Sequence, residues 1–280
     1  MAEARASHPG FSHTKGTLEI VGPGSRISRG MAVSLALATV FFGLLASACS
    51  PEASQPADNS EASRPADNQE AWRPADASRF SAQVDHPLVP LASVPVTIFE
   101  GTERGFFARS DARVDVRVES RVLERTARVA EVPVAVVDVK EYKDGQLVEH
   151  TLDYYAQDKE GNVWYLGERV DDIADGKVVA HSGEWLAGRG DAKPGLFMPA
   201  HPKVGQTFQQ ERAPGIAEDR STVVAVGLEV RTPLKTLSDC IKTKDIAPLD
   251  NVTEFKHYCP GVGLVREEGV GERLDLVQYR

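Results

Sequence analysis

The chain has 280 residues, 41% of them hydrophobic, and a formal net charge of −9. That acidic balance excludes recognition of nucleic acid or anionic lipid headgroups by general charge. Three cysteines with no Cys-x-x-Cys pair exclude a dithiol redox motif and a zinc knuckle.

Residues 31–48 form an 18-residue run without a charged side chain. Arg26 and Arg29 precede it, and Ala46, Ser47 and Ala48 lead into Cys49. This is the pattern of a bacterial lipoprotein signal, cut before Cys49 with lipid then carried on the thiol. The box departs from the usual one in having Ala46 where leucine is common; the nearest leucine is Leu45. Secretion without lipid and a retained membrane helix are the alternatives, and a helix needs about 20 apolar residues to cross. The expected address is therefore the bacterial envelope, anchored to the outer face of a membrane. Residues 1–48 are the signal region; 1–30 is too long and mixed for an n-region, and a misassigned start is expected, either at Met31 or at a codon just upstream that keeps Arg26 and Arg29. Residues 1–48 carry four bases and two acids, so removing them takes the net charge from −9 to −11.

Residues 49–85 read as a lipid-anchored, disordered tether. Glu52-Ala-Ser-Gln-Pro-Ala-Asp-Asn59 recurs nine residues later as Glu61-Ala-Ser-Arg-Pro-Ala-Asp-Asn68, and a third copy starts at Glu70. Proline blocks helix and sheet, and Ala, Asp, Asn and Ser bury too little to offset ordering.

Residues 86–280 read as one all-β domain, an antiparallel meander closing as a barrel, half-barrel or sandwich. Val114, Val116 and Val118 alternate with charged residues, the mark of a half-buried strand, whereas Pro133–Val139 is nearly continuous and so more fully buried. Hairpin turns are expected at Asp144-Gly145, Asp158–Gly161 and Asp175-Gly176. Later strands are expected at Thr207–Arg212, Ser221–Arg231, Leu234–Thr243, Thr253–Cys259, Gly263–Glu268 and Arg273–Tyr279. Cys240 and Cys259 face each other if the intervening hairpin is centred between Leu249 and Asp250. In an oxidising compartment that places a disulfide between them.

Glu149, Thr151, Asp153, Tyr155 and Gln157 share one face of a strand. With Gly161 as the left-handed residue of the turn, Tyr155 pairs with Tyr165 and Leu152 with Glu168. Asp153, Tyr155, Gln157 and Tyr165 then form either a ligand groove with an aromatic floor or an ordinary solvated sheet face. Trp164 and Trp185 read as core. The Gly/Pro-rich stretch from Gly188 to Gln206 reads as a strap that buries Leu196, Phe197 and Met198, or as a binding loop.

Asp153-Tyr-Tyr-Ala-Gln-Asp158, Gly161-Asn-Val-Trp-Tyr-Leu-Gly-Glu168, Gly183–Gly188, Pro194–Ala200 and Lys256-His-Tyr-Cys-Pro-Gly-Val-Gly-Leu-Val265 together resemble a family of bacterial secreted proteins and lipoproteins. The resemblance spans residues 130–270 and implies location and domain identity. It carries no established activity, hence no catalytic residue. Cys259 departs from the alanine expected before Pro-Gly-Val-Gly.

Phosphate-loop, Gly-x-Ser-x-Gly and His-Glu-x-x-His signatures are missing, and no metal or cofactor is expected. The reading is a non-enzymatic binding or scaffold module whose partners are the membrane, through its lipid, and an apolar small molecule or envelope protein. The alternative is a hydrolase of envelope or extracellular glycans using a carboxylate pair, drawn from Asp153, Glu168, Glu211, Glu218 and Asp219.

Overall fold

The computed structural model describes residues 72–104 and 113–280. Cys49, the signal region and nearly all of the repeat lie outside the described residues.

Among the described residues seventeen strands join in one antiparallel sheet, and the only helical element is a 3-10 turn at Ala77–Arg79. Asp76 caps that turn by accepting from the Ser78 amide. β1 (Phe80–Ser81) follows. β2 (Val96–Arg104) and β3 (Arg113–Val122) pair along their length, and β5 (Val132–Lys143) takes both β3 and the short β4 (Ala127–Val129) as neighbours. The meander continues through β6 (Gln146–Asp158), β7 (Val163–Ala174) and β8 (Lys177–Ala180). Its turns are the expected ones. Asp144 and Gly145 have φ of 47° and 76°, and Asp175 and Gly176 have 51° and 71°, the paired left-handed residues of two-residue hairpin turns.

Short strands follow: β9 (Trp185–Leu186), β10 (Lys193–Met198), β11 (Thr207–Gln209) and β12 (Glu211–Arg212). The chain ends in long hairpins built from β13 (Arg220–Arg231), β14 (Thr236–Ala247), β15 (Val252–Cys259), β16 (Gly263–Gly269) and β17 (Glu272–Tyr279). The sheet returns on itself as a barrel. β17 pairs with β2, β10 pairs with β7 on one side and β12 on the other, and β11 pairs with β13. The seam is thin: two residue pairs join β10 to β12 and three join β11 to β13.

The β14–β15 register matches the expected one. Ile241 opposes Tyr258 and Ala247 opposes Val252, which sets the turn between Leu249 and Asp250. Cys240 and Cys259 are disulfide-bonded, with α-carbons 4.1 Å apart.

Three expectations are corrected. The fold begins before residue 86. β1 pairs with β6, Phe80 meets Trp164 edge-on at 6.4 Å, and Val84 is buried in the core. Phe80 and Val84 supply the apolar surface that the repeat lacks. Secondly, Leu152 opposes Arg169, not Glu168, although Tyr155 does oppose Tyr165. A bulge at Gly167 inserts one residue into β7. Gly167 has φ of 114°, and a β-carbon there would lie 2.2 Å from the Trp185 carbonyl oxygen, so the bulge needs glycine. Thirdly, the 188–206 stretch is not a structureless strap. It holds β10, which buries Phe197 and Met198 but leaves Leu196 partly exposed.

One end of the barrel is stoppered by residues 84–95, which place Val84, Leu88, Val89 and Leu91 in the core. Gln157 fixes the entry of this segment. Its carbonyl oxygen accepts from the Asp85 and His86 amides at 2.8 and 3.1 Å, and its amide donates to the Asp85 carboxylate. His86 completes the fastening. Nδ1 accepts from the Leu88 amide, so the proton sits on Nε2 and is donated to the Pro199 carbonyl at 3.1 Å. Burial pushes this imidazole below its ordinary pKa.

Candidate functional site: a buried carboxylate lumen

Strand alternation and register together decide what faces inward. On β6, Thr151, Asp153 and Tyr155 point to the lumen, opposite Val139, Val137 and Ala135 of β5. On β15, Glu254, Lys256 and Tyr258 point inward, opposite Asp245, Thr243 and Ile241 of β14. Glu267 of β16 lies opposite Lys256. Near the stopper the lumen is apolar, lined by Phe99, Val122, Val137 and Leu264. Away from it the lumen is acidic. Among the described residues nine carboxylates are buried and Lys256 is the one buried amine.

The bulge at Gly167 has a direct consequence for this site. It turns Glu168 inward and sets it opposite Asp153, both buried. Directly opposed like charges on one sheet face repel, and burial strips away the solvent that would screen them. Tyr165 donates to Asp153 Oδ1 at 2.9 Å, while Asp153 Oδ2 has no hydrogen-bond partner. Tyr155 packs tilted against Tyr165 at 4.9 Å and meets Phe197 edge-on at 5.1 Å, and its hydroxyl is also unpartnered. Glu211 approaches from β12, with neither carboxylate oxygen bonded. Burial, then the charge of Glu211 and Asp153, pushes Glu168 well up; burial likewise pushes Asp153 well up, against the Tyr165 bond. Burial raises Glu211 to about 8 despite Lys256, and raises Asp219 to about 10, helped by Glu211.

A second group surrounds Lys256. Its Nζ lies 3.6 Å from Asp245, 3.7 Å from Glu254 and 3.9 Å from Glu267. Burial alone would lower the amine, but Glu267, Asp245 and Glu254 hold it well above its ordinary pKa. Its positive charge offsets negative charge on the carboxylates around it. Burial pushes Glu267 well up and raises Glu254, each opposed by Lys256. Beside the adjoining ends of β2 and β5, Lys143 pairs with Glu103 at 2.6 Å and with Glu141 at 3.4 Å. Burial pushes Glu141 well up, opposed by Lys143, and raises Glu272 to about 8, with Glu254 and Glu103 adding to it.

The residues expected to line a groove thus part company. Asp153, Tyr155 and Tyr165 converge inside the packed lumen, and Gln157 holds the N-terminal segment instead. Of the candidate acids, Glu211, Asp219 and Glu168 join Asp153, whereas Glu218 caps the Gly215 amide outside. Trp185 is buried and meets Tyr165 edge-on, and Trp164 donates to Asp158 at 2.8 Å. Glu254, Lys256, Glu267, Glu272 and Glu141 escaped the sequence reading. Their signal was the pairing of Lys256 with acids once the Cys240–Cys259 register is drawn, which puts Lys256 and Glu254 on one face opposite Asp245.

No group of three His, Cys, Asp or Glu among the described residues is arranged to hold a metal ion. The apolar cavity under the stopper measures about 30 Å³, room for one water and not for an acyl chain. An open, charged cleft of about 620 Å³ lies outside the barrel, between Glu100, Asp115, Arg117, Glu119 and Tyr142. Arg117 there bonds both Glu100 and Glu119.

No family model and no curated protein matches the chain. A solved structure described as a "putative lipoprotein" from Parabacteroides distasonis ATCC 8503 is similar at 11% identity and a TM-score of 0.36, over 69% of this chain and 98% of that one.

Proposed function

We propose that this chain is an envelope lipoprotein, anchored through Cys49, whose β domain is a non-enzymatic binding or scaffold module working through its outer surface. The observation that carries the outer-surface reading is the burial of the lumen's carboxylates. Asp153 and Glu211 have no exposed surface, and the apolar cavity is too small for a carried lipid. The charged cleft beside Arg117 has the size of a small-ligand site and is open. The anchor rests on the uncharged run of residues 31–48 and the small residues before Cys49. No helix among the described residues is long and apolar enough to cross a membrane.

Cys49→Ala tests the anchor. The variant should leave the membrane fraction for the soluble one, and retention after detergent-free washing would instead favour a membrane helix. Native purification followed by mass spectrometry tests the module: a copurifying envelope protein or polar ligand lost on Arg117→Ala supports the outer cleft.

The glycan-hydrolase reading keeps one specific support, the convergence of Asp153, Glu168 and Glu211 around Tyr165. Turnover of an envelope glycan abolished by Glu211→Gln would establish it.

A further inference from the structure

The barrel closes where it is weakest, and a buried acid sits in that closure. Glu211 belongs to the two-pair β10–β12 seam, opposite Pro194. The seam packs without slack: a β-carbon on Gly195 would lie 1.8 Å from the Gln210 carbonyl oxygen. The Gln210 and Glu211 amides both donate to the Asp219 carbonyl, at 2.8 and 3.1 Å, and the Gln210 side chain donates to the Phe197 carbonyl. Asp219 carries a second buried carboxyl at the head of β13, and it feels Glu211.

Charged groups face Glu211 from every side. Asp153 of β6 and Glu168 of β7 lie across the lumen, with Glu149 of β6 behind them. Asp219 precedes β13, and Asp250 lies in the β14–β15 turn. Lys256 of β15 is the one cation among them, already within 4 Å of Asp245, Glu254 and Glu267. Tyr155, Tyr165 and Tyr258 supply neutral hydroxyls, those of Tyr155 and Tyr258 being buried and unpartnered.

We propose that the lumen is a proton-held lock: protons on Glu211, Asp153, Glu168 and Asp219 keep the β10–β12 and β11–β13 seam shut, and their loss to bulk water parts it. A Glu211 carboxylate ionised here is cut off from water, its oxygens accept no hydrogen bond in the closed seam, and several carboxylates face it. Hydration relieves that state, and the shortest route to water is separation of the two residue pairs at Pro194 and Glu211. Loss of protons weakens the seam locally and leaves the thirteen-residue β6 ladder intact. The raised pKa of Glu211, about 8, puts the transition on the alkaline side of neutrality.

Hydrogen exchange by mass spectrometry on the full chain tests this, comparing wild type with Glu211→Gln at pH 6 and at pH 9. Comparison at one pH cancels the base catalysis of exchange itself. At pH 9 the wild-type peptides covering 193–198 and 207–222 should exchange at least tenfold faster than those of Glu211→Gln, with 135–157 equal in the two proteins. At pH 6 the two proteins should match throughout. Equal protection of the seam at pH 9 would overturn the lock, and so would faster exchange spread evenly over 135–157. If Glu211→Gln does not fold, Glu211→Met, which also removes the ionisable group from the seam, serves with the same outcomes.

Discussion

Gly167 is one residue on which the whole site depends. Its left-handed backbone makes the bulge, and the bulge decides that Glu168 faces Asp153 instead of solvent. Gly167→Ala must move the Trp185 carbonyl or flatten the bulge, and should destabilise the domain by about 3 kcal/mol. Chemical denaturation checks this, and a cost under about 1 kcal/mol would mean that the bulge tolerates a side chain. His86 is a second single-residue device. Both ring nitrogens are used while it is neutral, and a proton on Nδ1 would face the Leu88 amide. Lys256 is the third, since removing it would leave Asp245, Glu254 and Glu267 without a counter-charge.

At the level of elements, much was legible in advance, and the particulars show why. The Asp-Gly turns, the alternation in β3 and the strands from β13 to β17 follow local rules that tertiary contacts reinforce. The Cys240–Cys259 bond followed from turn position together with an oxidising compartment, because a one-residue slip would turn the two side chains to opposite faces. Joining residues 19 apart, it should contribute about 3 kcal/mol, so reduction should lower stability by that amount and leave a folded barrel. Alkylation under denaturing, non-reducing conditions should label neither cysteine. The rest was hidden for physical reasons. β2 is interrupted by Gly101 and passes directly beneath the Arg273 carbonyl, a close approach visible only in three dimensions. β10 reads as loop because its Pro194 and Gly195 are turn residues elsewhere, yet here they fit a tight seam. For the acids of β14 to β16 the disulfide register shows which residues share a face with Lys256, but alternation does not say that this face is the inside.

On the scale of the whole molecule, the barrel inverts the usual arrangement along part of its length. Its stoppered end is apolar, and the remainder encloses acids that are stable there only when most of them are neutral. For Glu211 and Glu272 the unfolded value lies near 4.5 and the folded value is about 8. The folded state therefore holds the extra protons. Its stability from these groups is complete below pH 4.5 and is lost as pH rises through 8. The histidines act in the opposite sense and in a different window. His86 and His257 are lowered by burial, His257 to about 4, so their contribution is present above 6.5 and fades as pH falls. The interval from pH 7 to 9 thus reports the carboxylates alone. The most direct test of a protonated lumen is the denaturant midpoint of the full chain across that interval. Stability should fall steadily, by up to about 1.4 kcal/mol per pH unit for each group that titrates, and Glu272→Gln should flatten the slope. A midpoint that stays level or rises from pH 7 to 9 would contradict the account.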